Sequence, residues 1–198
     1  MARPRKFTEG DVIAAARDQF WSAGYAGTSV DDLTEATGLG RGSLYGAFGD
    51  KHALYLRALD DYCTDVSTRV ADDLDPSAGS AYERLTRHIL NQASTTPAEG
   101  RRGCLLAKSA AELGSTDRDV ARRVKSSLQR YRSLLATTVA AAQADGDVDP
   151  AVDPEQLSLL ILTFLRGLEA MRKSGFSATQ MRSAAQQFIG LVPRVGAC

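Results

Sequence analysis

Residues 37–51 read TGLGRGSLYGAFGDK, with five glycines in the twelve positions from Gly38 to Gly49. A run like this can cradle a phosphate, form a loose loop, or let a helix come close to a surface, and its flanks decide which. A dinucleotide-binding GxGxxG follows a strand and opens a βαβ unit. Here Gly38-Leu39-Gly40-Arg41-Gly42 follows SVDDLTEAT (29–37), which reads as a capped amphipathic helix. A P-loop ends in Gly-Lys-Ser/Thr, and Gly49-Asp50-Lys51-His52 does not supply that ending. The surrounding pattern is instead a helix–turn–helix: a helix over about 29–37, a turn at Gly38-Leu39-Gly40, and a short helix over 41–48.

In the first of these helices Ser29 is the capping residue, with Asp32 at the third position, and Val30, Leu33 and Ala36 form the inward stripe. In the second, at about 100° per residue, Leu44 and Phe48 fall together with Ala47 on their flank. These side chains are expected to pack on Val30, Leu33, Leu39 and Leu54. The opposite face presents Gly42, Ser43, Tyr45 and Gly46 and is nearly bare of bulk. A helical glycine costs about 1 kcal/mol relative to alanine, and insertion into a major groove is a reason to accept that cost.

On the N-terminal side, Thr8 with Asp11 marks another capped start, Phe7 can staple against Val12, and Val12, Ile13, Ala16 and Phe20 share one face up to Gly24. Downstream, a helix capped by Asp50 carries Leu54, Leu59, Tyr62, Val66 and Val70 to about Asp75-Pro76. Further helices are expected over Tyr82–Ala93, Cys104–Leu113, Asp117–Ala144, 155–173 and 177–192. No segment alternates as a strand would, so the expected fold class is all-α.

Residues 8–56 resemble the N-terminal DNA-binding domain of TetR-family transcriptional regulators. The resemblance rests on Phe20, Gly24, Thr28-Ser29-Val30, Leu33, Ala36, Gly38-Leu39, Gly42-Ser43-Leu44-Tyr45, Phe48, Lys51 and Leu54. It implies a helix-turn-helix domain over 1–50 and a helical effector-binding and dimerisation domain over 51–198, the latter matching in length and pattern only. By position, it implies base-edge and phosphate contacts from Arg41, Gly42 and Ser43. Tyr45 would meet a phosphate or a thymine methyl, and Thr28 and Lys51 would grip phosphates. Gly40 stands where that family commonly has serine, and Gly46 and Ala47 replace larger groups, so operator choice would lean on Arg41, Ser43, Tyr45 and DNA shape. The basic arm Arg3, Arg5 and Lys6 reads either as a minor-groove contact or as a disordered tail.

Composition narrows the alternatives. The formal net charge is zero, so a DNA-binding surface must be a local patch balanced by acidic surface elsewhere. The N-terminal MARPRKFTEGD lacks the apolar core of a signal peptide. The apolar run Leu157–Leu165 is about half of the roughly 18 residues a membrane span needs. A cytoplasmic protein without a membrane partner is expected. Cys63, Cys104 and Cys198 lie far apart, and with only His52 and His88 available neither a metal site nor a cofactor is indicated.

The segment 155–173 is apolar around most of its circumference, which suggests burial on two sides. Leu157, Leu160, Ile161, Phe164 and Leu168, with Met181 and Phe188 from the last helix, are the expected dimer surface. It would form a four-helix bundle about a two-fold axis. The other reading is a central core helix within a monomer.

For an effector, Tyr131 and Phe164 are candidate pocket aromatics. Cys104, near a helix start beside Arg101 and Arg102, is a candidate thiol sensor of an electrophile or oxidant, a pocket residue, or simply a small packing residue. Its Gly-Cys-Leu-Leu setting resembles a TetR subgroup that includes regulators responding to reactive electrophiles. The helix after the reading head is the expected transmitter. The functional expectation is a homodimeric repressor of double-stranded operator DNA, released by a small-molecule effector. An all-helical enzyme acting on a small molecule is the alternative from another class, although no catalytic constellation is recognisable. A DNA-binding protein without an effector is a third.

Overall fold

Helix starts follow the residues that satisfy otherwise unpaired N–H groups. In the computed structural model, which describes residues 8–94 and 102–196, Thr8 and Asp11 form a reciprocal capping box at the start of α1 (Glu9–Ala23). Ser29 and Asp32 do the same for α2 (Val30–Thr37). Ser80 with Glu83 starts α5 (Ala81–Ala93), and Ser177 with Gln180 starts α9 (Ala178–Gly190). The Asp50 carboxylate accepts from the Ala53 N–H at 2.7 Å at the head of α4 (Lys51–Asp73). Asp117 takes the N–H groups of Asp119 and Val120 at the head of α7 (Arg118–Ala144). The remaining helices are α3 (Arg41–Phe48), α6 (Leu105–Leu113) and α8 (Pro154–Lys173). Among the described residues the only β pairing is an isolated bridge between Val148 and Arg194, so the all-α expectation holds.

The chain divides into two compact units, and α4 and α7 each contribute to both. The first unit comprises residues 1–65 and 104–125. Its core holds Val12, Ala16 and Phe20 of α1, Leu33 of α2, Leu44 of α3 and Leu54, Tyr55, Ala58 and Leu59 of α4, together with Leu105 and Leu106 of α6. The Tyr55 ring meets Phe20 edge-on at 5.0 Å and Tyr25 at 4.8 Å. This unit runs past residue 50, because the first part of α4 buries its apolar face in the same core.

The second unit comprises residues 66–103 and 126–198. Leu85 and Ile89 of α5, Tyr131, Leu135 and Val139 of α7, and Leu157, Ile161, Leu165 and Leu168 of α8 fill its core, joined by Met181 and Ala185 of α9. Leu157, Ile161, Leu168 and Met181, expected at a dimer surface, are thus committed to the chain's own core at 5% exposure or less. The all-round apolar pattern of α8 had combined two faces, of which the inward one belongs to this core. Leu160 points out of it and Phe164 is half-buried. Among the described residues no helix is long and apolar enough to cross a membrane.

Candidate nucleic-acid interface

Helix α3 is set by the turn before it. Gly38 adopts φ +69°, a left-handed conformation that ends α2 cleanly and favours glycine. Thr37 folds inward at the same place, its hydroxyl donating to the Leu33 carbonyl at 2.6 Å. Ala36, expected inward, is exposed. α3 then buries only Leu44 fully, with Phe48 half-buried, while Arg41, Gly42, Ser43, Gly46 and Ala47 are exposed and Tyr45 is half-buried. A Cβ added at Gly42 or Gly46 would meet nothing within 4 Å. Gly40 caps the helix with no side-chain bond at its positive end, where a phosphate is favoured.

The residues expected to grip phosphates around this helix fare differently. Thr28 is 1% exposed and its hydroxyl donates to the Gly24 carbonyl at 2.7 Å. Its side chain thus builds the α1–α2 turn. Lys51 is half-buried with its ammonium 4.4 Å above the Tyr25 ring, an arrangement that fixes the stem near the start of α4. Arg3, Arg5 and Lys6, and the Phe7 staple, lie outside the described residues.

Side chains of α1, α4, α6 and α7 tie the first unit together. Lys108 donates to the carbonyls of Trp21 and Ser22, and the Glu112 carboxylate accepts from the N–H groups of Tyr25 and Ala26. The Tyr55 hydroxyl donates to Ser109 Oγ at 2.7 Å. His52 Nε2 lies 2.5 Å from the Asp117 carboxylate, Arg123 reaches Asp60 at 2.8 Å, and Arg17 bridges Asp61 and Asp65. The N–H of Val120, then the bond to His52, hold the Asp117 carboxyl below the usual carboxylate range. Most of these partners are more than 40 residues apart, so no local pattern reports them.

The candidate effector residues do not form one group. Cys104 belongs to the first unit, sits at the N-cap of α6, is 6% exposed, and accepts from the Tyr62 hydroxyl at 3.7 Å. Arg101 and Cys198 lie outside the described residues. Tyr131 is buried in the second unit, its hydroxyl 2.6 Å from His88 Nε2, while His88 Nδ1 is 2.7 Å from the Asp73 carboxylate. Burial pushes the Tyr131 hydroxyl well above its ordinary range, and the bond from His88 lowers the Asp73 carboxyl. Phe164 stacks on Phe188 with ring centres 4.0 Å apart. Both line an apolar groove of ≈ 610 Å³ that also includes Leu160, Leu191 and Val192 but not Tyr131. Among the described residues no group of three His, Cys, Asp or Glu could hold a metal ion.

Comparison with known proteins agrees with this geometry. Residues 12–58 match the family model of bacterial regulatory proteins of the tetR family, and residues 81–188 match the tetracyclin repressor-like C-terminal domain. The HTH-type transcriptional repressor ComR of Escherichia coli (strain K12) is 27% identical, over 98% of this chain and 92% of that protein. The structure of a cysteine mutant of the TetR family transcriptional regulator CifR, complexed with 26-bp double-strand operator DNA, is 30% identical with a TM-score of 0.81. That likeness covers 96% of this chain and all of the other. The reduced form of E. coli NemR, 18% identical with a TM-score of 0.83 over 95% of this chain and 98% of the other, shares the fold. The C-terminal match alone spans more than half of the chain, so the protein belongs to the TetR family of bacterial transcriptional regulators.

Proposed function

We propose that this chain is a homodimeric transcriptional repressor that reads a pseudo-palindromic operator with α3 and is released by a small molecule. The observation that carries the reading is the outer face of α3. Arg41, Gly42, Ser43 and Gly46 are exposed together on a helix whose inner face is fixed by Leu44. Such a face admits close approach to a major groove, with Arg41 and Ser43 supplying the donors for base edges and phosphates. ComR is named a repressor and the CifR structure holds operator DNA, which supports the same role here. Lys51 and Tyr45 are the proposed flanking phosphate contacts, with the basic arm of Arg3, Arg5 and Lys6 beside them. A cytoplasmic location is part of the same proposal.

The test is selection of binding sites by the purified full-length chain from a random duplex library of about 30 bp, followed by titration on the selected duplex. Two half-sites about one helical turn, or a multiple of it, apart are expected. Affinity should fall by roughly a thousandfold between about 50 and about 200 mM salt if some six phosphates are neutralised. Failure to enrich any duplex removes the DNA-binding reading.

The finer part of the proposal concerns the effector. Its supporting observation is that Cys104 begins α6, the helix whose Lys108 and Glu112 contact the reading head. A change at Cys104, by an electrophile or by pocket filling, therefore acts on an element tied directly to α1. Alkylation with N-ethylmaleimide is expected to release the selected duplex from the wild type and to leave Cys104→Ser bound. Wild type that keeps its affinity once Cys104 is modified overturns the sensor role.

A further inference from the structure

Two side chains of α6, one turn apart, hold the junction between α1 and α2. Lys108 Nζ donates to the carbonyl oxygens of Trp21 at 2.6 Å and Ser22 at 3.0 Å. These belong to the last turn of α1, which carries no basic residue of its own to meet its negative end. Glu112 Oε2 accepts from the N–H groups of Tyr25 at 2.7 Å and Ala26 at 3.4 Å, just past that end. One ammonium thus takes the carbonyls of the helix, and one carboxylate takes the N–H groups of the turn that follows.

Gly24 lies between the two contacts with φ +82°, and a Cβ there would sit 2.1 Å from Glu112 Oε1. The carboxylate occupies the space the missing side chain leaves. The same turn continues into α2, because the Thr28 hydroxyl donates to the Gly24 carbonyl and Ser29 is the N-cap. A continuous series of bonds therefore runs from α6, through the turn, to the helix that delivers α3.

We infer that Lys108 and Glu112 are positioning residues of the DNA-reading head, setting the angle at which α2 presents α3 to the groove. The inference rests on the DNA-binding reading above. Apolar packing between α1, α2 and α6 tolerates small sliding, whereas charge-assisted bonds to particular backbone groups specify one arrangement. Glu112 is exposed, and α6 keeps other anchors in buried Leu105 and Leu106 and in the Tyr55–Ser109 bond. Loss of either charged group should therefore leave the fold in place and disturb the aim of α3. Specific binding depends on that aim, while non-specific binding depends on net phosphate neutralisation.

The experiment measures Kd for the selected duplex and for a scrambled duplex of the same length, alongside thermal unfolding, in the full-length chain. Glu112→Ala and Lys108→Met are expected to weaken the selected duplex by about threefold to thirtyfold. The scrambled duplex and the unfolding midpoint should stay at wild-type values. Glu112→Gln, which keeps an oxygen acceptor for the Tyr25 N–H, should restore most of the loss. Unchanged discrimination in both disruptive variants overturns the inference, as does a parallel loss on both duplexes with a lowered midpoint. A wild type that selects no duplex overturns the DNA-binding reading and this inference with it. A wild type that binds, beside variants that discriminate equally well, overturns the inference alone.

Discussion

At Gly46 the protein keeps a residue that its own fold does not require. A Cβ there would meet open space, and the residue lies inside a helix without positive φ. Alanine at that position should stabilise α3 by up to about 1 kcal/mol, and the same holds at Gly42. Gly38 and Gly24 are different, because positive φ at both and the Glu112 carboxylate at Gly24 exclude a side chain on structural grounds. The expected result for Gly46→Ala is a raised unfolding midpoint together with roughly tenfold weaker binding to the selected duplex, since a methyl group would intrude where the backbone meets the groove. A stabilised variant with unchanged affinity would show that this face does not meet DNA closely. Thermal unfolding and titration on one preparation decide the matter.

At the scale of elements, local chemistry made the helices readable and long-range chemistry hid their supports. Thr8 with Asp11 and Ser29 with Asp32 are signals only four residues long, and both helices begin where those pairs place them. The span 41–48 of α3 follows equally from Gly40 before it and Gly49, at φ +86°, after it. Apolar periodicity failed where a polar residue was buried by bonding its own helix: Thr37 turned inward in place of Ala36 because its hydroxyl pairs with the Leu33 carbonyl. The Thr28 bond was hidden for a related reason, since its partner, the Gly24 carbonyl, is presented only once the turn has formed. Glu112 carried no signal at all, lying 87 residues from Tyr25 in the chain. The outer face of α3 was legible because it belongs to a single helix, whereas the α6 groups that bond the α1–α2 turn were not, because they are assembled by tertiary contact.

For the whole molecule, zero net charge leaves association to local surfaces, and one apolar surface of this kind is the groove on α8 and α9. The inner faces of these helices are spent on Leu157, Ile161, Leu168 and Met181. Outward, Leu160 is 56% exposed and Leu191 77% exposed, and they border the stacked pair Phe164 and Phe188. Contiguous exposed apolar side chains of this kind are costly in water and mark an interaction surface. A second copy related by a two-fold axis would bring the same four residues against themselves, forming a bundle of four helices. Two such chains are also what a pseudo-palindromic operator requires, so association and DNA reading should fail together. Leu160→Glu places a charge in the centre of that surface without entering the core. It is expected to convert a species of twice 21.2 kDa into one of 21.2 kDa by light scattering, with helicity unchanged. Affinity for the full duplex should then fall toward that for an isolated half-site. A wild type that is monomeric at micromolar concentration, or a Leu160→Glu variant that stays paired, would assign this surface to something other than a second copy.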